Sequence, residues 1–234
     1  MPALRAMVFP GAHNLPLYLM AGIELLYTRS RDEQIRTIQA GDADVIHTSP
    51  DNLRLDDARG LVAFLGGSTG ALSLVAANAS AGPHTLAVDN RSSGFGVLAY
   101  DWLARNRPEW KYDIIEVGGT ALRFEALKSG RATMAVMAAP FTQQCDMLHY
   151  VNLGRIDEGR VTLCGAYRPD RLSAEQTAQY REQYRAALDI LAGPDGDAVA
   201  ERVLREHTDL PPDIVDAVAR EMRESVVSAG VNYS

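Results

Sequence analysis

Two short stretches decide the reading of this chain: Phe9-Pro10-Gly11-Ala12-His13-Asn14-Leu15-Pro16 and Ile46-His47-Thr48-Ser49-Pro50-Asp51-Asn52. Each follows an apolar run of strand character, Leu4 to Phe9 and Val45 to Thr48, and each leads into a segment with helical signals. In an open α/β sheet the strands are buried, so small polar residues at their carboxyl ends collect at the rim of a ligand crevice. Two such rims predict a small-molecule site without naming the molecule.

Outward from these turns, strands and helices alternate. Ile23 to Thr28 reads as a strand, Arg31 to Ala40 as a helix with Ile35 and Ile38 on one face, and Leu61 to Leu65 and Leu72 to Ala77 as strands around a Gly66-Gly67-Ser68-Thr69-Gly70 turn. After a linker at Ala79 to Pro83 the pattern restarts. Strands are expected at Thr85 to Asp89, Asp113 to Glu116 and Met134 to Met137, with helices at Gly94 to Asn106 and Ala121 to Ser129. Alternation of this kind predicts parallel sheets covered by helices. The last third is helical, over Ser173 to Leu191, Asp197 to His207 and Asp213 to Ser228, punctuated by Gly193-Pro194 and Pro211-Pro212.

Composition narrows the classes of function. The 234 residues are 47% hydrophobic, enough for a sizeable core in one large domain or two small ones. A net charge of −7 with interspersed signs argues against a phosphate-tracking face, so no nucleic-acid partner is expected. No run approaches the roughly 20 apolar residues of a membrane span, and the start has none of the three regions of a signal peptide. The expectation is a cytoplasmic protein, or a periplasmic one if a leader has been trimmed. Cys145 and Cys164 lack CxxC spacing, which suits a reducing compartment and suggests no metal site; no cofactor motif is present either.

The ordered series GAHNLPLY, AGDADV, HTSPDN, LSLVA, AVDNRSSGFG, VGGTALRFEALKSG and MAAPF resembles the periplasmic-binding-protein type 2 fold. The resemblance is to the group with nitrate, sulfonate and taurine binding proteins and thiamine-pyrimidine-synthase-like proteins, over about residues 4 to 192. It implies two α/β lobes around a ligand cleft, with residues 1–74 plus 165–234 as lobe one and 75–164 as lobe two. Hinges would fall near Leu72 to Ala76 and Val161 to Tyr167. Two departures shorten this chain: Asn14 to Ala21 is barely two turns, and only Asn78 to His84 stands before the strand at Thr85. The same scaffold hosts receptors and enzymes such as desulfinases, decarboxylases and chorismate dehydratase, so fold alone leaves function open. The cysteine-rich iron motif of the yeast-type pyrimidine synthases is absent.

Within this frame His13 is the first catalytic candidate, because an imidazole exchanges protons near neutral pH. The resemblance puts it where desulfinases carry a nucleophilic cysteine; a ligand contact or a helix cap is the plainer alternative. His47 is the second, although strand alternation lets only one of His47 and Thr48 face the rim. Thr48 or Ser49 is suited to cap a helix beginning at Pro50, where free N–H groups also suit an anion and Asn52 adds an amide. Ser92-Ser93-Gly94-Phe95-Gly96 and Gly118-Gly119-Thr120 open two helices whose N-termini would form an anion cradle, or serve only as tight turns. Asn14 and Ser68 complete the expected ligand contacts, with Phe141 as an apolar wall. Cys145 reads as a buried small hydrophobe more than a nucleophile, and Tyr180 and Tyr184 as packing residues. The function expected is a cytosolic enzyme acting on a small organic anion, an aromatic or unsaturated carboxylate, by acid/base, lyase or decarboxylase chemistry. The alternative is the solute-binding protein of an ABC importer for an organic acid, sulfonate or pyrimidine-like compound; a ligand sensor and a homodimer stay open.

Overall fold

The computed structural model describes residues 3–28, 30–69, 71–80, 82–157 and 159–233. Met1, Pro2, Gly70 and Ala81, on which parts of the sequence reading fall, lie outside them. The chain divides into two compact units, Met1–Thr69 with Arg160–Ser234, and Gly70–Gly159. These boundaries, 69 and 159, precede the expected 74 and 164 by five residues each.

The first unit holds a five-stranded sheet in the order β2-β1-β3-β10-β4. Its strands are β1 (Leu4–Val8), β2 (Ile23–Tyr27), β3 (Val45–Thr48), β4 (Val62–Thr69) and β10 (Val161–Tyr167). Its helices are α1 (Leu15–Tyr18), α2 (Arg31–Ala40), α6 (Ala174–Ala192), α7 (Gly196–His207) and α8 (Val215–Ala229). Strands β1, β2 and β3 run parallel, as alternation requires. The expectation of a wholly parallel sheet is corrected by β10, which returns antiparallel between β3 and β4. Helix α2 starts where the Ser30 hydroxyl accepts from Glu33 N at 3.3 Å and ends at Gly41, whose φ of +85° favours a residue without a side chain.

The second unit repeats the plan in the order β7-β6-β8-β5-β9. It contains β5 (Ser73–Ala76), β6 (His84–Val88), β7 (Tyr112–Glu116), β8 (Met134–Met137) and β9 (Val151–Arg155) with α3 (Gly94–Asn106), α4 (Thr120–Lys128) and α5 (Phe141–Met147). Here β6 is parallel to β7 and β8, whereas β5 is antiparallel to β8 and β9. Strand β9 and helix α5 are absent from the sequence reading. Strand β9 alternates half-buried and exposed residues and carries Gly154 at φ +138°, so it lacks the apolar run that marks the inner strands.

Period-two geometry divides this unit's core between the two faces of its sheet. Leu74, Ala76, Leu86, Val88, Met134 and Val136 pack with Trp102, Leu103 and Trp110 on the α3 side. Their strand neighbours Val75, Ala87, Ala135 and Met137 pack with Phe124, Leu127 and Cys145 on the other. In the first unit Met7 and Ile46 face Ile35 and Ile38 of α2.

The Gly66-Gly67-Ser68-Thr69 segment is not a turn; it is the second half of β4. A Cβ on Gly66 would lie 2.9 Å from Gly230 O, and one on Gly67 would lie 2.8 Å from Leu163 O. These glycines admit backbone against backbone, Gly66 against the segment after α8 and Gly67 against β10, a use that composition cannot tell from a turn. Gly67→Ala therefore forces β4 and β10 apart and is expected to lower stability by about 1–3 kcal/mol, the usual range for overpacking, read as a shift in the urea midpoint at unchanged m-value.

Candidate functional site

The polar turns of the first unit follow β1 and β3, adjacent parallel strands whose carboxyl ends share one edge of the sheet. Gln34 of α2 ties the two ends together, its amide donating to Met7 O at 3.0 Å and to His47 O at 2.9 Å. His13 sits in a 3-10 turn, Ala12–Asn14, and its Nε2 lies 3.0 Å from Phe9 O. A carbonyl only accepts, so Nε2 carries the proton and the ring is the neutral Nε2–H tautomer. Burial holds its pKa down at about 4, partly offset by the same carbonyl. Asn14, 1% exposed, gives its amide to Phe9 O as well, at 2.7 Å.

His47 faces away from α2 into the packing of α6. Its Nε2 is 2.9 Å from the Tyr180 hydroxyl, and the Tyr184 ring centroid lies 6.1 Å from its own. Burial, with the charge of His13 nearby, lowers its pKa to about 3. Tyr184 in turn donates to Gly67 O at 3.2 Å, so both tyrosines pack on the sheet, as their spacing suggested.

Thr48, on the opposite face, accepts from Asn52 Nδ2 at 2.9 Å. The segment after it is a 3-10 turn, Pro50–Arg54, and neither Thr48 nor Ser49 caps it with a side chain, which corrects the capping expectation. Ser49 is half-buried. Ser68 is buried inside β4 with its hydroxyl 3.0 Å from Thr162 Oγ1, so its position is that of an interior sheet residue.

In the second unit Ser93 caps α3, accepting from Gly96 N at 3.0 Å, and donates its own proton to the Asp89 carboxylate. That carboxylate occupies the cap of α3 with negative charge, so Ser93 has no proton left for an anion. Ser92 is exposed, its hydroxyl held by Asn90 Oδ1 at 3.0 Å, and Gly94 opens the helix. Helix α4 is different: Gly119, exposed, stands at its N-cap with no side-chain capping bond. Phe141 begins α5 and packs on Phe124 with ring centroids 5.3 Å apart. Cys145 is sealed in the core, where burial pushes its thiol up to about 12 and removes it as a nucleophile.

Arg123 is the functional candidate that the sequence reading missed. It is 2% exposed and donates to Val136 O at 2.8 Å, Gly118 O at 3.1 Å and Thr120 Oγ1 at 2.7 Å. Burial lowers its pKa to about 10 and Asp89 supports its charge, so it is a cation at neutral pH. Because a guanidinium has no acceptor, Thr120 must accept from it, and the Thr120 proton is left to donate elsewhere. In sequence Arg123 looks like any helix-surface arginine; only its position on the inward face of α4 separates it from the rest.

No family model matches the chain, and no curated protein matches it in sequence. Solved structures do. The chain is similar to the ligand-binding component of an ABC-type import system from Staphylococcus aureus with zinc bound (14% identity, TM-score 0.76, covering 94% of this chain and 84% of that one). It is also similar to the alkanesulfonate-binding protein SsuA from Xanthomonas axonopodis pv. citri bound to MOPS (13% identity, TM-score 0.73, 94% and 84% covered). A third is the Candida albicans CA3427 gene product, described as exhibiting the generic periplasmic binding protein structural fold (14% identity, TM-score 0.69, 96% and 81% covered). The fold is that of the periplasmic binding proteins. At these identities the likeness shows the binding-protein fold and leaves the ligand to the residues. Among the described residues no group of three or more His, Cys, Asp or Glu is placed to hold a metal ion, and no helix is long and apolar enough to cross a membrane.

The two depressed histidines couple the binding-protein fold to pH. The folded chain keeps His13 and His47 neutral down to about 4 and about 3, whereas the unfolded chain protonates both near 6.5. The unfolded state thus binds more protons as pH falls below 6.5, and stability drops between about pH 6.5 and pH 3, with no change from these groups above that window. Urea midpoints at pH 7.5 and pH 5 check this: the drop on acidification is expected to be smaller in His47→Gln than in the wild type, and equal drops would refute the assignment.

Proposed function

We propose that this protein binds a small organic anion as the solute-binding protein of an importer, and returns it unchanged. The observation that carries the reading is the N-terminus of α4, without a side-chain cap, beside the buried Arg123 cation and the Thr120 hydroxyl, whose oxygen accepts from Arg123 and whose proton is left to donate. Unpaired backbone N–H groups, the helix dipole, a fixed hydroxyl proton and a desolvated positive charge favour a carboxylate or sulfonate there. The α3 end, filled by Asp89, contributes less.

The acid/base enzyme reading asks His13 to give up or take a proton near neutral pH. Its one proton is engaged with Phe9 O and its pKa lies near 4, so it is poorly placed for that exchange. The names of the solved relatives, an import-system component and a sulfonate-binding protein among them, support the same choice. A receptor of this kind would work outside the cytoplasmic membrane.

Calorimetry with a panel of small carboxylates and sulfonates tests the proposal. Saturable binding is expected, with the acid recovered chemically intact. Thr120→Val should weaken binding by about 1–3 kcal/mol, the loss typical of a hydrogen bond to a charged group. Ser93→Ala should instead lower stability by about 1 kcal/mol through the lost cap and change affinity less. Consumption of a bound acid, with kcat falling at least about a hundredfold in His13→Ala, would replace the receptor by the enzyme.

A further inference from the structure

Strands β3, β10 and β4 of the first unit meet in a cross-strand row at the carboxyl end of β3. Thr48 pairs with Cys164, and Cys164 pairs with Gly66, so the three residues share one face of the sheet. Two segments far apart in sequence cover that row. One is the Pro50–Arg54 turn, whose Asn52 amide donates to Thr48 Oγ1 at 2.9 Å. The other is the chain that leaves α8. Gly66 N donates to Val231 O at 3.1 Å, and the carbonyl oxygens of Gly230, Ala229 and Asn232 lie 2.9, 3.1 and 3.1 Å from the point where a Cβ of Gly66 would stand. The covering backbone thus takes up the volume of a side chain. Gly230 turns it out of α8 at φ +66°, and Asn232 Oδ1 accepts from Arg181 of α6 at 2.6 Å. Tyr233 follows, 38% exposed. The groups that act on its hydroxyl are Cys164 in the row and Arg54 and Asp51 in the turn, and the same Asp51 acts on the buried Cys164 thiol.

We infer that residues 231–233 are a strap that holds the Pro50–Arg54 turn on the end of the first unit's sheet and closes over Cys164. The turn has little of its own to hold it. It is a single 3-10 turn without a side-chain cap, and none of its five residues is buried. Asp51 and Arg54 pair with each other at 3.5 Å on an exposed surface, where an ion pair is worth little. Arg31 adds one bond, to Asn52 O at 3.3 Å. The strap itself is tied at two points, by the backbone bond to Gly66 and the side-chain bond to Arg181. It can therefore come away without breaking any pairing between the five strands, and its release loosens the turn that carries Asn52 while β1, β2 and β3 stay paired. The device lies wholly within the first unit and is independent of the anion-binding reading.

The test compares the wild-type chain with the double variant Asn232→Ala and Tyr233→Ala, two exposed positions whose truncation leaves the core intact. Labelling of Cys164 by iodoacetamide under native conditions is read by mass spectrometry, with the buried Cys145 of the other unit as reference. Hydrogen exchange of the Asn52 and Ile46 amides is followed by NMR on the same two proteins. The variant should label Cys164 and exchange the Asn52 amide roughly three- to tenfold faster, the shift in a local opening equilibrium that one lost hydrogen bond gives. Ile46 in β3 and Cys145 should keep their wild-type rates. Unchanged rates at Cys164 and Asn52 overturn the strap. A rise that Ile46 shares overturns it as well, because the whole sheet has then loosened. So does a rise at only one of Cys164 and Asn52, because the segment then does not cover the thiol and hold the turn together.

Discussion

The polar turns of this molecule are placed by the burial of its inner strands on both faces. Strands β3, β5 and β8 are buried along their whole length. A strand sealed on both sides has nowhere to put a polar group except its ends or against a dedicated partner. The turns after β1, β3 and β6, strands buried over their last three residues, are such ends. His47 shows the other solution: inside the layer, it survives because the Tyr180 hydroxyl meets it.

Hydrogen-bond commitments then settle what each end can offer. In the second unit a carboxylate uses up the Ser93 proton, and a guanidinium uses up a lone pair of Thr120. One hydroxyl becomes a helix cap and the other a directed donor, though both are small alcohols before a helix. In the first unit Phe9 O takes the protons of His13 and Asn14 and leaves them as acceptors. The chemistry available to a ligand is therefore set less by which side chains are present than by which of their donors and acceptors are already spoken for.

Much of the architecture was legible in the chain. The alternating strands and helices and the C-terminal helices follow from periodicity, which is local; the Ser93 cap was instead expected as an anion contact. The glycine pair before β5 was misread because the atoms that exclude a Cβ at Gly66 and Gly67 come from residues 230 and 163, far away in sequence. Strand β9 escaped because its half-exposed pattern has no apolar run. Among the site candidates, Ser68 looked like a turn hydroxyl for the same reason that the glycines looked like a turn.

By itself, the sequence determined where strands end in polar turns and which residue types stand there, because those properties depend on neighbours within a few positions. Tertiary structure alone decided the burial of Arg123 against Val136 O and the pairing of His47 with the Tyr180 hydroxyl. Each of these depends on an atom brought within about 3 Å, the reach of a hydrogen bond, by the packing of a helix on a sheet or the closing of a turn. Whether a side chain gives or receives a hydrogen bond is a property of that meeting, and residue type leaves it open.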